Sequence, residues 1–209
     1  LTAAGGTTNQ DAVIAPKGTG ALIAAIPDSS STGGGKRGQY AVDLQLSRAS
    51  STNVASGNYS VIIGGYNSVA SATRAAVLGG DSNNAAGNYS TVLGGLNNTA
   101  VGLNSVALGY DGIANMVGQI AHGGRKFSVQ GDVQTSQHIL RVQTSFGAPT
   151  EMTTGTSGQL VIPDNSTWTL CILIVARRTD ADNESAGYKV EGVIDRNGNA
   201  ASTALVGSV

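Results

Sequence analysis

The sequence predicts an all-β chain. It reads as a fibre of short-period β-roll or β-helix repeats that associates with copies of itself, followed by a β-sandwich-like carboxy-terminal domain. Three observations carry this. Glycine returns every fifteen residues at Gly64, Gly79, Gly94, Gly109 and Gly124, and self-similarity at a fixed short period marks a stacked repeat. The blocks between these glycines have no helical period; each holds two short runs of small or β-branched residues between Gly, Asn and Ser corners. Beyond the repeats, apolar runs of strand length alternate with turn signals such as Pro163-Asp164-Asn165 and Arg196-Asn197-Gly198-Asn199.

Composition narrows the function classes. The 209 residues include 30 glycines, 12% charged and 4% aromatic residues, and the net charge is −1. Without a basic excess, nothing drives binding to a phosphate backbone, so no nucleic-acid partner is expected. The longest apolar run, Leu170 to Ala176, is far shorter than the roughly 20 residues of a membrane helix, so no membrane insertion is expected. Neither end reads as a signal peptide, and both read as cut within a segment, as in part of a longer chain. Cys171 is the single cysteine. It excludes an internal disulfide and a multi-thiolate metal site, and within its apolar run it reads as a buried free thiol. No cofactor is expected.

Residues 1–49 read as an extended amino-terminal stem with a strand or two. The run Ala21 to Ile26 is stopped by Pro27, and from Tyr40 to Ser47 Val42, Leu44 and Leu46 alternate with polar residues. Residues 50–124 form the solenoid repeats, with two strands and two tight corners per coil. Aliphatic pairs stand before the boundaries at Ile62-Ile63, Val77-Leu78, Val92-Leu93 and Ala107-Leu108, and Ala55, Ala70, Ala85 and Ala100 share a column. Between residues 50 and 109 only Arg74 and Asp81 are charged. So neutral a surface, around so thin a core, points to association with other copies. In the last block, matching Val106-Ala107-Leu108-Gly109 to Ile120-Ala121-His122-Gly123 requires a shift of 14 and makes Gly124 the second glycine of a pair. The repeat should end there in a cap.

Residues 125–209 read as the carboxy-terminal domain. Its strand candidates are Lys126–Gln130, Gln137–Gln143, Gln159–Ile162, Thr167–Arg177, Tyr188–Ile194 and Ala201–Val209, with Trp168 as a core anchor.

The boundary motif Ser105-Val106-Ala107-Leu108-Gly109, preceded by Ala100-Val101-Gly102, resembles the head repeats of trimeric autotransporter adhesins. Gly38 to Gln45, Gly131 to Ser136, Ala176 to Asp180 and Tyr188 to Asp195 are similar to segments of tail-fibre proteins of tailed bacteriophages. The residues alone show more than one copy; the resemblance implies a homotrimeric fibre or spike. It further implies a virion, extracellular location, other virion tail proteins as partners, and attachment to a bacterial surface glycan or protein, the alternatives being a tailspike that cleaves capsule polysaccharide and a purely structural shaft.

Binding candidates follow from side-chain chemistry. Tyr59 and Tyr89 stand two periods apart in one column, with Tyr66 and Tyr110 nearby. Aromatic faces beside Asn and Ser edges suit sugars, and packing between coils or chains is the alternative. Arg177 and Arg178 either pair with the acidic loop Asp180 to Glu184 or bind an acidic sugar. That loop reads first as a polar hairpin, then as a calcium site. No catalytic residue is assigned. A depolymerase would need two carboxylates about 5–9.5 Å apart, and the coils hold only Asp81 and Asp111. His122 reads as replacing a core leucine, at a cap or a trimer axis, and His138 as a strand-surface residue.

Overall fold

The structure, a computed structural model, describes residues 16–144, 150–154, 159–177 and 184–206. It divides into two compact units, Leu1–Gln159 and Leu160–Val209. Every described sheet element is short except two, and no α-helix occurs among the described residues.

The first unit is a β-solenoid. Its strands are β1 (Leu22–Ile23), β2 (Val42–Asp43), β3 (Val61–Ile62), β4 (Val69–Ala70), β5 (Ala76–Val77) and β6 (Asn84–Ala85). They continue as β7 (Thr91–Leu96), β8 (Thr99–Ala100), β9 (Val106–Tyr110), β10 (Ile113–Ala114), β11 (Ile120–Gly124) and β12 (Gln134–Gln137). One eight-stranded sheet runs β1-β2-β3-β5-β7-β9-β11-β12, and a four-stranded sheet runs β10-β8-β6-β4. All pairings are parallel except β11 with β12. From β3 to β10 each coil therefore gives one strand to each sheet, as the two runs per repeat predict. The ladder begins at β1 and β2, inside the segment expected to be an extended stem.

Between the two sheets lies a core of small side chains. Ile62, Val77, Val92, Ala107 and Ala121 form one column and Ala70, Ala85, Ala100 and Ala114 another, all fully buried. Neighbouring residues of a strand face opposite ways, so only the first member of each aliphatic pair enters this core. Ile63, Leu78 and Leu93 point outward, 53%, 43% and 49% exposed. Alanine lets the facing backbones come close, which leaves room for little else.

A polar column is buried at one corner. The Asn98 amide donates to Gly94 O (3.0 Å) and Gly109 O (2.7 Å), while its oxygen accepts from Gly112 N (2.8 Å). One rung earlier, Asn83 donates to Gly79 O and Gly95 O and accepts from Asn98 N (2.9 Å). One rung earlier still stands Ser68, and before it Gln45, whose side-chain amide accepts from Ser68 N and donates to Ser68 O. These amides give hydrogen-bond partners to corner backbone groups such as Gly79 O and Gly112 N, and add a second donor to Gly95 O, which also accepts from Asp81 N (3.0 Å).

The register confirms the shift of 14, since Val106 stands opposite Ile120 and Leu108 opposite His122. It corrects the position of Gly124. Gly95 pairs with Gly109 and Gly109 with Gly123, so Gly124 lies opposite Tyr110. The ladder slips between Val92 and Gly95, where the coil loses the extra corner residue. Glycine spacing followed residue type across that slip, whereas the backbone stack did not.

Polar side chains are buried near both ends of the described solenoid. Near the start, the buried Asp43 carboxylate accepts from Arg37 Nε at 2.7 Å with Arg48 at 4.0 Å. Arg48 also donates to the carbonyls of Thr32, Gln45 and Asn53; its burial pulls its pKa below the ordinary arginine value. At the far end, Gln134 Oε1 accepts from Ile113 N and its Nε2 donates to Ile113 O (2.8 and 3.0 Å). The side-chain amide thus takes the place of a further strand on the open edge of β10. Lys126–Gln130 is not a strand. Its amides at Ser128, Phe127 and Val129 turn onto the Asp132 carboxylate at 2.7, 3.0 and 3.0 Å. Those donors, Ser128 foremost, hold the Asp132 carboxyl below its usual range.

The second unit is one antiparallel sheet of β13 (Ser166–Arg177), β14 (Ser185–Arg196) and β15 (Ala204–Leu205). A sandwich would need a second layer, and its described residues form only this sheet. Of the other strand candidates, Gln159–Ile162 is irregular, and Gln137–Gln143 contributes Gln137, the last residue of β12, and an isolated antiparallel bridge from Arg141 to Thr153. Ala201–Val209 supplies part of a 3₁₀ turn and β15, with residues 207–209 outside the described residues. Cys171 is exposed rather than buried, because no described strand covers its face of the sheet. Trp168 is half-buried.

Candidate functional site

Two corners flank each strand of the large sheet, and each stacks its residues into a column. The corner preceding the strand places Tyr40, Tyr59, Arg74, Tyr89, Asn104 and Gly118 in one column, all with left-handed backbone (φ 56° to 66°). This conformation lets each amide reach back to the previous rung. Tyr59 N donates to Gln39 O (2.8 Å), Arg74 N to Asn58 O (2.9 Å) and Tyr89 N to Thr73 O (3.0 Å). Asn58 and Asn88 lock the turn from the side, accepting from Gln39 N and Thr73 N at 3.1 Å each.

Stacked rungs then stack the side chains. The Tyr40 and Tyr59 rings lie 5.0 Å apart and 14° from parallel. The Arg74 guanidinium sits 5.2 Å from the Tyr59 ring centre and 5.3 Å from that of Tyr89, a cation between two aromatic faces. Its Nη1 donates to Tyr89 Oη at 3.0 Å. The three rings remain about half exposed. Ring stacking, two cation–aromatic contacts and one hydrogen bond thus join four exposed side chains in one file.

Tyr66 and Tyr110 belong elsewhere. They occupy a column at the opposite end of the strands, running Tyr66, Asp81, Leu96, Tyr110, and so do not touch one another. Tyr110 has Arg125 over its ring at 5.7 Å. The structure therefore divides the four expected tyrosines into two groups and joins only Tyr59 and Tyr89, through Arg74. Arg74 was legible by adding fifteen to Tyr59. Tyr40 was not, because it precedes Tyr59 by nineteen residues and falls outside the period.

Arg177 is exposed at the end of β13, opposite Ser185. Arg178 lies outside the described residues, as do Asp180 and Asp182, and with them the expected pairing to the acidic loop.

The carboxylates of the solenoid serve the scaffold. Asp111 is buried and accepts from Asn97 Nδ2, with Lys126 Nζ at 3.8 Å, which ties the cap to the last coil. Asp81 accepts from Ser82 Oγ at 2.6 Å. In the second unit, Glu191 pairs with Lys189 at 2.7 Å in the open. No group of three His, Cys, Asp or Glu suited to a metal ion occurs among the described residues. His122 does not replace a core leucine: it ends the outward column after Leu108 and is exposed. His138 is half-buried, both ring nitrogens lack a hydrogen-bond partner among the described residues, and burial pushes its pKa down.

Comparison with known proteins finds no matching family model, no matching curated protein and no matching solved structure.

Proposed function

We propose that this chain is the subunit of a homotrimeric tail fibre or spike of a tailed bacteriophage. It attaches the virion to a bacterial surface polysaccharide or protein, outside the cell and alongside other tail proteins, without cleaving what it binds. One observation carries the reading. Across β3, β5, β7 and β9 the outward face of the eight-stranded sheet is a strip two columns wide, apolar except at Thr91: Val61 and Ile63, Ala76 and Leu78, Thr91 and Leu93, Val106 and Leu108. Parallel sheets are ordinarily covered on both faces, and a strip of this length open to water marks an association surface.

The second unit supports the same reading. Trp168, Leu170, Ile172 and Ile174 share a face with their partners Ile194, Gly192, Val190 and Tyr188, and no charge interrupts it. Tyr188 is 61% and Val190 49% exposed. A sheet from another copy would cover that face and complete the sandwich. Closed rotational symmetry satisfies such faces in every copy at once, and repetition supplies avidity from weak contacts. The setting, a phage fibre, comes from the resemblance of the repeats and flanks.

Native mass at dilute concentration should correspond to three chains, and the protein should compete with phage for adsorption to host cells. Capsular polysaccharide incubated with it should keep its length. A folded monomer overturns the trimer, absent competition overturns attachment, and shortened polymer overturns the non-enzymatic reading.

A further inference from the structure

The file Tyr40–Tyr59–Arg74–Tyr89 is kept against backbone preference. All four residues have positive φ, a region that Asn and Gly occupy with less strain, and the same column does turn to Asn104 and Gly118 further along. Strained backbone persists where a side chain is needed for what it presents.

What these side chains present follows from their stacking. The ring faces are turned toward one another and toward Arg74, so a ligand meets the hydroxyl edges and the guanidinium. Arg74 uses one N–H on Tyr89 Oη and pairs with no carboxylate among the described residues. Its remaining N–H groups form a fork that matches a carboxylate. The phenol hydroxyls on either side donate and accept, as sugar hydroxyls require. Adjacent rungs are about 4.7–4.9 Å apart, so a polymer laid along the file meets a fresh polar group at every rung. Arg74 is also the only cation between residues 50 and 109, which gives the strip one defined anionic seat.

We infer that this file is a binding strip for an acidic polysaccharide, with a sugar carboxylate seated on Arg74. The inference rests on the attachment reading above and adds the class of ligand and the residues that hold it.

The test uses the intact oligomer. Polygalacturonate is titrated against the wild type, Arg74→Asn and Tyr59→Asn, with dextran as the neutral polymer. Asn suits the corner backbone, so both variants should keep their native mass and melt no lower than a few degrees below the wild type. The wild type should bind polygalacturonate more weakly as salt rises, and dextran not at all. Arg74→Asn should weaken binding at least tenfold. Equal binding by Arg74→Asn, equal binding of dextran, or no binding by the wild type overturns the strip. So does dissociation of the oligomer in Arg74→Asn, which would make the file a contact between subunits. Phage adsorption separates this failure from that of the attachment reading. If both wild type and Arg74→Asn compete equally, attachment stands and the strip falls. If polygalacturonate binding depends on Arg74 but neither protein competes, the strip stands and attachment falls.

Discussion

Gly95 leaves no room for a side chain, and it does so twice over. Its φ is +96°, and a β-carbon there would lie 1.9 Å from Gly109 O and 2.9 Å from the Asn98 amide nitrogen. The left-handed conformation alone costs a non-glycine residue about 1–2 kcal/mol, and the backbone collision adds to it. Gly95→Ala should therefore destabilise the solenoid by more than about 2 kcal/mol, read from chemical denaturation. Gly64 stands in a similar sequence context, yet a β-carbon there meets nothing within 4 Å. Gly64→Ala should stay within about 0.5 kcal/mol of the wild type. Glycine periodicity was plain in the sequence, but not which glycine of each pair is obligatory. That depends on the backbone of the next rung, which sequence spacing does not contain.

At the scale of the elements, the coils are held by amides as much as by apolar burial. Asn98 serves two carbonyls and one amide N–H at once. Asn98→Ala leaves buried backbone groups without partners, at about 1–3 kcal/mol for each unsatisfied group. Hydrogen exchange at Gly112 should quicken in that variant, while Asn84→Ala, at a half-buried outward position on β6, should leave it unchanged. The alternation of strand runs and corners could be read directly, because Gly, Asn and Ser at fixed intervals tolerate the backbone that corners need. The buried role of Asn83 and Asn98 could not. In sequence they look like ordinary turn residues, and only coil closure shows that their side chains point inward.

For the whole molecule, the outward apolar strip sets the expected behaviour. Glutamate at Leu78 and Leu93 together would place charge where the proposed trimer excludes water. Each leucine also contributes roughly 1.5–3 kcal/mol when fully buried, lost in every copy. The double variant should fall to a smaller native mass or aggregate, with its β-type circular dichroism kept where it stays soluble. A double variant of unchanged native mass would mean that this face is not where copies meet.

The sequence by itself determined the all-β class, the repeat, the two strands and two corners of each coil, and the near absence of charge along the repeats. These depend on local backbone preference and on spacing, which a string of residues carries in full. The tertiary structure alone decided which member of each aliphatic pair is core, where the register slips, and that Tyr40, Tyr59, Arg74 and Tyr89 stand in one file. Alternation along a strand defines two faces without saying which is inside. Closing the coil makes that choice, and it brings side chains nineteen residues apart as close as those fifteen apart.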